Sequence, residues 1–395
     1  MEALTKIYEW LRFMVARKAS DLFITAGFPP AIKLNGKVTP ITKQSLTPTD
    51  SAMLAKAIMS EKQHADFLAT HEANFAIHEP EIGRFRVNIF MQQGRTGMVL
   101  RHINTTIPKL EDLHLPPGLK DISMMPRGLV IVVGATGSGK STTLAAMVGH
   151  RNQNAQDHIV TVEDPIEYVH THGKSIITQR EVGMDTLDWE AALKNTLRQA
   201  PDVIMIGEIR DRDTMQAAIA YAQTGHLCLA TLHANNAYHA LNRIFNFFPM
   251  ENRPLLYMDL AATLKCIISQ RLVKRPDGKR IPAVEILLNS RQVAELIERG
   301  EISGIREAME QSLASGSRTF EQDLFRLYRD KIITLEEALA NADSPTNLSW
   351  LINNAQFSDK NADKTPLPST SIDSEPHQEE GGASFKEFTL ELDED

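Results

Sequence analysis

An α+β domain followed by a larger α/β domain is the fold class that these 395 residues predict, and three observations predict it. Apolar and polar residues alternate with period two over much of residues 19–101. From residue 118 onward, four short β-branched runs alternate with helix-patterned stretches. Between the first run and the first such helix lies the glycine-rich turn Gly134-Ala135-Thr136-Gly137-Ser138-Gly139-Lys140-Ser141-Thr142. Alternation marks a half-buried antiparallel strand. A continuous apolar run bounded by turn residues suits a parallel strand covered on both faces.

Residues 3–17 carry Leu4, Ile7, Tyr8, Leu11, Met14 and Val15 at helical spacing and predict an amphipathic helix. Asp21 to Thr25 and Ala31 to Val38 read as strands, with Asn35-Gly36 as a hairpin turn. Thr49 to Met59 reads as a second helix, and Phe75 to Arg101 alternates again, most clearly in Arg84-Phe85-Arg86-Val87-Asn88-Ile89-Phe90. Residues 1–110 are thus one α+β domain, and residues 111–117 form a linker that ends at Leu115-Pro116-Pro117-Gly118.

Strands are expected at 129–133, 158–162, 203–206 and 227–231, with helices at 140–150, 188–199, 213–222 and 236–247. That alternation predicts a mostly parallel sheet with helices on both faces, over residues 118–290. Past Phe248-Pro249 the pattern is mostly helical, interrupted by a hairpin at Arg275-Pro276-Asp277-Gly278-Lys279 and a strand from Ile281 to Leu288. Helices at 291–299, 302–314, 319–330 and 334–341 make up a C-terminal helical region, 291–353. Residues 354–395 are rich in Ser, Pro, Asp and Glu and poor in large apolar residues, the composition of a disordered acidic tail.

Charge and cysteine content exclude several classes. The formal net charge is −8, yet residues 358–395 alone hold eleven acidic and three basic residues, so residues 1–357 are balanced at 39 of each. No basic excess points to nucleic acid, which disfavours a DNA-translocating machine. Cys228 and Cys266 make neither a disulfide framework nor a C-x-x-C metal site, which suits a reducing compartment. No run of 18 apolar residues predicts an integral membrane segment, and the residues after Met1 do not read as a signal peptide.

The turn Gly134–Thr142 fits G-x-x-x-x-G-K-[ST], and its context, after a buried strand and before a helix, is the one the chemistry needs. Glycines let backbone N–H groups surround the phosphates, and the helix N-terminus adds positive potential. Lys140 would reach the β- and γ-phosphates of ATP, and the Ser141 hydroxyl would ligate Mg2+. A nucleoside triphosphatase also needs carboxylates at neighbouring strand ends. Val203-Ile204-Met205-Ile206 runs into Gly207-Glu208, and Ile159-Val160-Thr161-Val162 into Glu163-Asp164-Pro165. Glu163 and Glu208 are therefore candidates for catalysis and, partly through water, for the metal; Asp164 and Glu167 are weaker ones. His226 and His233 bracket the strand 227–231 and are candidates to sense the γ-phosphate as neutral imidazoles. His170 and His172 lack a third ligand nearby and read as structural or exposed. Arg84, Arg86 and Arg101 lie in the N-terminal sheet, from which they would reach a neighbouring subunit's nucleotide in trans rather than their own.

These motifs, in this order, resemble the secretion ATPases. The phosphate loop matches that family's Walker A motif, Thr161 to His170 its Asp box, the strand ending Gly207-Glu208-Ile209-Arg210-Asp211 its atypical Walker B motif, and Thr224-Gly225-His226 through Thr231-Leu232-His233 its His box. Ser20-Asp21-Leu22, Gly27-Phe28-Pro29-Pro30 and Arg84 to Asn88 are similar to the N-terminal domain of the PilT/PilU retraction ATPases of type IV pili, and the match spans roughly residues 1–345. The resemblance implies a PAS-like N-terminal domain, a RecA-like ATPase domain and a homo-hexamer with nucleotide at the subunit interface. It also implies a cytoplasmic motor peripheral to the inner membrane that acts on a PilC-like platform protein at the pilus base.

The four-cysteine zinc site and longer N-terminal region of pilus-assembly and type II secretion ATPases are missing. PilT motors carry Ala-Ile-Arg-Asn-Leu-Ile in their C-terminal helices; the corresponding stretch here is Gln292 to Ile297, with Ala294 in place of the arginine. That departure and the acidic tail point to the PilU branch. Three readings stand at this point: a PilU-type accessory motor, a PilT-type main motor or pilus-extension ATPase, and a nucleotide-binding ring subunit that exerts force only with a PilT-like paralogue.

Overall fold

The computed structural model describes residues 2–34, 36–103, 106–312 and 316–362. Met1–Ser349 forms one compact unit, and a second begins at Trp350.

Helix α1 (Glu2–Ala16) is followed by strands β1 (Asp21–Thr25), β2 (Ala31–Leu34) and β3 (Lys37–Pro40). Helices α2 (Pro48–Ile58) and α3 (Glu61–Thr70) and strands β4 (Glu72–Glu79), β5 (Gly83–Gln92) and β6 (Arg95–Ile103) complete the first layer pair. The six strands pair antiparallel in the order β3-β2-β1-β6-β5-β4. The alternation in β5 is realised directly: Phe85, Val87 and Ile89 are buried, while Arg84, Arg86 and Asn88 point the other way. Ile7, Leu11 and Met14 of α1 close the core against them. Helix α3 goes beyond the predicted elements. Its local signal is present, since Ser60 and Gln63 cap its first turn reciprocally at 2.8 and 3.2 Å.

Helix α4 (Gly118–Ser123) leads into strand β7 (Gly128–Val133) and helix α5 (Lys140–Asn154). Then come β8 (His158–Glu163), β9 (Ile176–Glu181), α6 (Trp189–Thr196), β10 (Val203–Ile206), α7 (Arg212–Gln223), β11 (Leu227–Leu232), α8 (Ala237–Asn246) and α9 (Arg253–Thr263). Strands β12 (Leu264–Lys274) and β13 (Arg280–Leu288) finish the sheet, whose order is β13-β12-β7-β11-β10-β8-β9. Every pair is parallel except β12–β13. Strand β7 is buried along its whole length: Leu129, Ile131 and Val133 join the core on one face, and Val130 and Val132 the core on the other. Each such side chain contributes about 1.5–3 kcal/mol of burial, which explains why the run carries no polar residue.

Two strands are absent from the sequence-based expectation. Strand β9 lies at the sheet edge, half exposed. Strand β12 begins at the residue after α9 ends, inserts parallel to β7 and runs eleven residues where helix is expected. Helices α10 (Arg291–Glu298), α11 (Ile305–Glu310), α12 (Phe320–Arg329), α13 (Leu335–Ala340) and α14 (Pro345–Ala362) follow. Helix α14 runs past Asn353, so the boundary of the expected tail is too early. Its Asn, Ser and Asp content reads as coil, yet nothing in it forbids a helix once Pro345 has started one. The rest of the expected tail, 363–395, lies outside the described residues.

Candidate active site

Strands β7, β8, β10 and β11 are parallel, so their C-terminal ends meet at one edge of the sheet. There the phosphate loop, Glu163, Glu208 and His233 surround a cavity of about 460 Å3, lined also by Asp164, Glu167, Tyr168, His170 and Arg280. That position, outside the carboxyl ends of strands, is where open α/β sheets bind ligands.

The loop can be built only with glycine at its two ends. Gly134 has φ 156° and Gly139 φ 95°. A Cβ on Gly134 would lie 2.6 Å from the Gln270 carbonyl oxygen, and one on Gly139 would lie 2.7 Å from Gln270 Nε2. Gln270, on β12, is the buried floor of the loop; its Oε1 accepts from Thr143 Oγ1 at 2.7 Å. Helix α5 starts at Lys140, so the N–H groups of its first turn, which have no partner inside the helix, face the cavity side. Lys140 is buried, and its Nζ donates to the carbonyls of Gly134 and Ala135 at 2.8 and 3.0 Å. Burial lowers its pKa, opposed by the charges of Glu208 and Glu167. The buried Ser138 hydroxyl lacks a hydrogen-bond partner. A glycine cradle, an unpaired hydroxyl and a cation held by backbone oxygens fit a polyphosphate. Ser141 lines the same cavity as Glu163 and Glu208, and a hydroxyl with two carboxylates is an all-oxygen donor set of the kind Mg2+ prefers.

Glu163 is 7% exposed at the end of β8. Its Oε1 accepts from Thr161 Oγ1 at 2.6 Å and Gln179 Nε2 at 3.1 Å. Burial raises its pKa to about 7, and those hydrogen bonds hold it from rising further. Glu208 follows β10 through Gly207. Its Oε1 lies 3.4 Å from His233 Nε2 and its Oε2 3.3 Å from Arg210 Nε, while Arg210 also donates to Asp164 at 3.0 Å. His233 is pushed below the usual imidazole range, first by burial and then by Lys140, which keeps it neutral near pH 7. Tyr168 reaches back to α5, its hydroxyl 2.9 Å from Thr142 Oγ1.

Other candidates are not brought here. His226 precedes β11 while His233 follows it, so six residues of extended strand, roughly 20 Å, separate them. His226 Nδ1 instead contacts Thr224 Oγ1 and the Tyr221 carbonyl; the expectation that both histidines serve one sheet edge is corrected. Arg101 pairs with Asp21 at 2.7 Å and, with Arg86, lines a groove beside Asn74 and Asn88 on the N-terminal sheet; Arg84 lies 4.0 Å from Glu181. His170 is no exposed bystander: it is buried, lines the cavity, and is held neutral by burial, with a pKa of about 4. His172 Nδ1 accepts from the Ile177 N–H at 3.1 Å, a structural bond as expected. Gln179, Gln270 and Arg280 are further site residues that the motifs do not contain.

Residues 11–329 match the Type II/IV secretion system protein family. The type IV pilus ATPase PilU of Pseudomonas aeruginosa is 54% identical over 350 residues, covering 88% of this chain and 92% of that one. The chain belongs to the PilT/PilU pilus retraction ATPases. PilT of the same organism is 38% identical over 341 residues, covering 86% of this chain and 99% of PilT. A crystal structure of the pilus retraction motor PilT with bound ADP superposes with a TM-score of 0.81 at 38% identity, covering 86% of this chain and 98% of that one. The fold is the family's, and the chain is an ATPase. No helix among the described residues is long and apolar enough to cross a membrane.

Proposed function

We propose that this chain is the ATP-hydrolysing subunit of a six-membered ring of the PilU type, working in the cytoplasm against the inner membrane at the base of a type IV pilus. There it assists retraction and twitching motility, in company with a PilT-like paralogue and a PilC-like platform protein. The observation that supports this best is the meeting of the phosphate loop with Glu163, Glu208 and His233 at one sheet edge. The higher identity to PilU than to PilT, together with Ala294, favours the accessory role.

In this reading the loop amides, from Gly134 to Thr142, and the start of α5 take the phosphates, and Lys140 turns from its own carbonyls to the β- and γ-phosphate oxygens. Glu163, with a pKa near the working pH, accepts a proton from the attacking water as the bond between the γ-phosphorus and the bridging oxygen breaks, giving ADP and phosphate. Glu208 orients that water, and neutral His233, 3.4 Å from Glu208, senses whether the γ-phosphate is present. Mg2+, held by Ser141 with Glu163 and Glu208 partly through water, would neutralise charge on the phosphate oxygens. Arg84, Arg86 and Arg101 would approach the nucleotide of a neighbouring subunit, closing one N-terminal domain over the next site. The test is pilus retraction in cells lacking this protein, lacking the PilT-like paralogue, or lacking both. Partial loss in the first strain and full loss in the second are expected; retraction unaffected by removing this protein alone or with its paralogue would refute it.

A further inference from the structure

We infer that Gln179 is a positioning residue for ATP hydrolysis, fixing the carboxylate of Glu163 to the segment whose Tyr168 meets the first turn of α5. The inference rests on the proposed catalytic role of Glu163. Strands β8 and β9 pair in parallel with Thr161 opposite Gln179. Both side chains converge on one atom: Thr161 Oγ1 and Gln179 Nε2 donate to Glu163 Oε1 at 2.6 and 3.1 Å. The Glu167 backbone N–H is a further partner of this carboxylate, which lines the cavity.

The rest of the Gln179 amide is used on the segment between the two strands. Nε2 also donates to the Tyr168 carbonyl at 2.9 Å, and Oε1 accepts the His170 N–H at 2.7 Å. That segment is fastened at its other side by the Tyr168 hydroxyl, 2.9 Å from Thr142 Oγ1, one residue beyond Ser141 in the first turn of α5. The path Thr142–Tyr168–Gln179–Glu163 ties the carboxylate to the loop that holds the phosphates. A catalytic carboxylate misplaced by about 1 Å loses on the order of a hundredfold in rate, and an amide with one carbonyl and two N–H groups can serve three partners at once.

A double-mutant cycle separates this role from a purely structural one. Gln179→Met keeps the side-chain length and removes every hydrogen bond. It is expected to lower kcat about 10–100-fold, with KM for ATP and affinity for a fluorescent ADP analogue within about threefold of wild type. In a Glu163→Gln background, the same change is expected to alter the residual rate less than about twofold, because Gln179 acts through Glu163. Equal losses in both backgrounds, a wild-type kcat in Gln179→Met, or a matching loss of ADP-analogue binding would overturn it. If Glu163→Gln alone turns over normally, the catalytic assignment of Glu163 is what fails. Where the methionine variant does not fold, Gln179→Glu keeps the acceptor for His170 N–H and removes the donor to Glu163, and the same comparison decides. Failure of both variants to fold makes Gln179 a folding residue and also overturns it.

Discussion

Lys140 holds its charge on two carbonyls of its own loop, at 2.8 and 3.0 Å. Lys140→Ala is therefore expected to lower ATP turnover at least a hundredfold, on the order of one transition-state charge contact, while circular dichroism stays that of the wild type. Wild-type phosphate release by the variant would remove the loop from catalysis. Glu208→Gln should still bind an ADP analogue and lose turnover by a similar factor. A third residue-scale prediction concerns pH. Glu285 is buried, accepting from Ala237 N–H at 2.7 Å and Ser269 Oγ at 2.9 Å, and burial raises its pKa above the usual carboxylate range to about 7. The folded state then binds the proton more tightly than the unfolded one. The stability so gained is complete below about pH 4.5 and lost as pH rises through about 7. Glu285→Gln, which keeps the acceptor, should raise the unfolding free energy at pH 8 by on the order of 1–3 kcal/mol, and the melting temperature with it, and leave both unchanged at pH 4.5. An equal effect at both pH values would disprove the linkage. Single residues were legible where a motif fixes their neighbours, as for Lys140, Ser141, Glu163 and Glu208. Gln270 and Gln179 were not, because an amide in a strand has no signature until its partner, 127 residues away for Thr143, is known. His226 misled because flanking a strand in sequence says nothing about which end of a parallel sheet the chemistry occupies.

At the scale of elements, the four buried runs of the parallel sheet were legible almost to the residue, since strands covered on both faces need unbroken apolar residues. Strand β9 escaped because only Ile177 and Glu181 of its six residues are buried. Strand β12 escaped because no glycine or proline separates Thr263 of α9 from Leu264, and the change of period passes without punctuation. Yet β12 is what joins the site to the C-terminal helices. Its Arg271 donates to the carbonyls of Asn235, just past His233, and Asn341, pairs with Asp343, and lies 4.0 Å over the Phe320 ring. Arg271→Ala is expected to cost about 2 kcal/mol, the range for a charged hydrogen bond in a half-buried setting, and to speed amide exchange at residues 335–343 more than in β7. Uniform exchange across both regions would mean that Arg271 does not link them.

For the whole molecule, the question is whether the proposed ring exerts force alone. Helix α10 buries Val293 and Ile297 against the main core and leaves Ala294 half exposed beside them, at the position where the resemblance to PilT motors implies an arginine. The helix is neither part of the phosphate loop nor a wall of the cavity behind it, so its change leaves nucleotide chemistry intact. An arginine offers five donors in a fixed fork and alanine none, so any contact made there to a platform protein or a neighbouring subunit is absent outright. A charged hydrogen bond of that kind contributes about 1.5–3 kcal/mol, a deficit that the proposed ring would repeat at every subunit. The purified protein is therefore expected to hydrolyse ATP, and a strain carrying it as its sole retraction ATPase to leave its pili extended. Supplying a PilT-like partner whose own helix carries the arginine should restore retraction, with the two proteins co-purifying. Ala294→Arg should restore part of it without the partner, since Ala294 is half exposed on α10 and a longer side chain there can extend toward solvent. Robust retraction by the wild-type protein alone would end the accessory reading. Retraction unchanged by Ala294→Arg would move the cause of dependence away from α10.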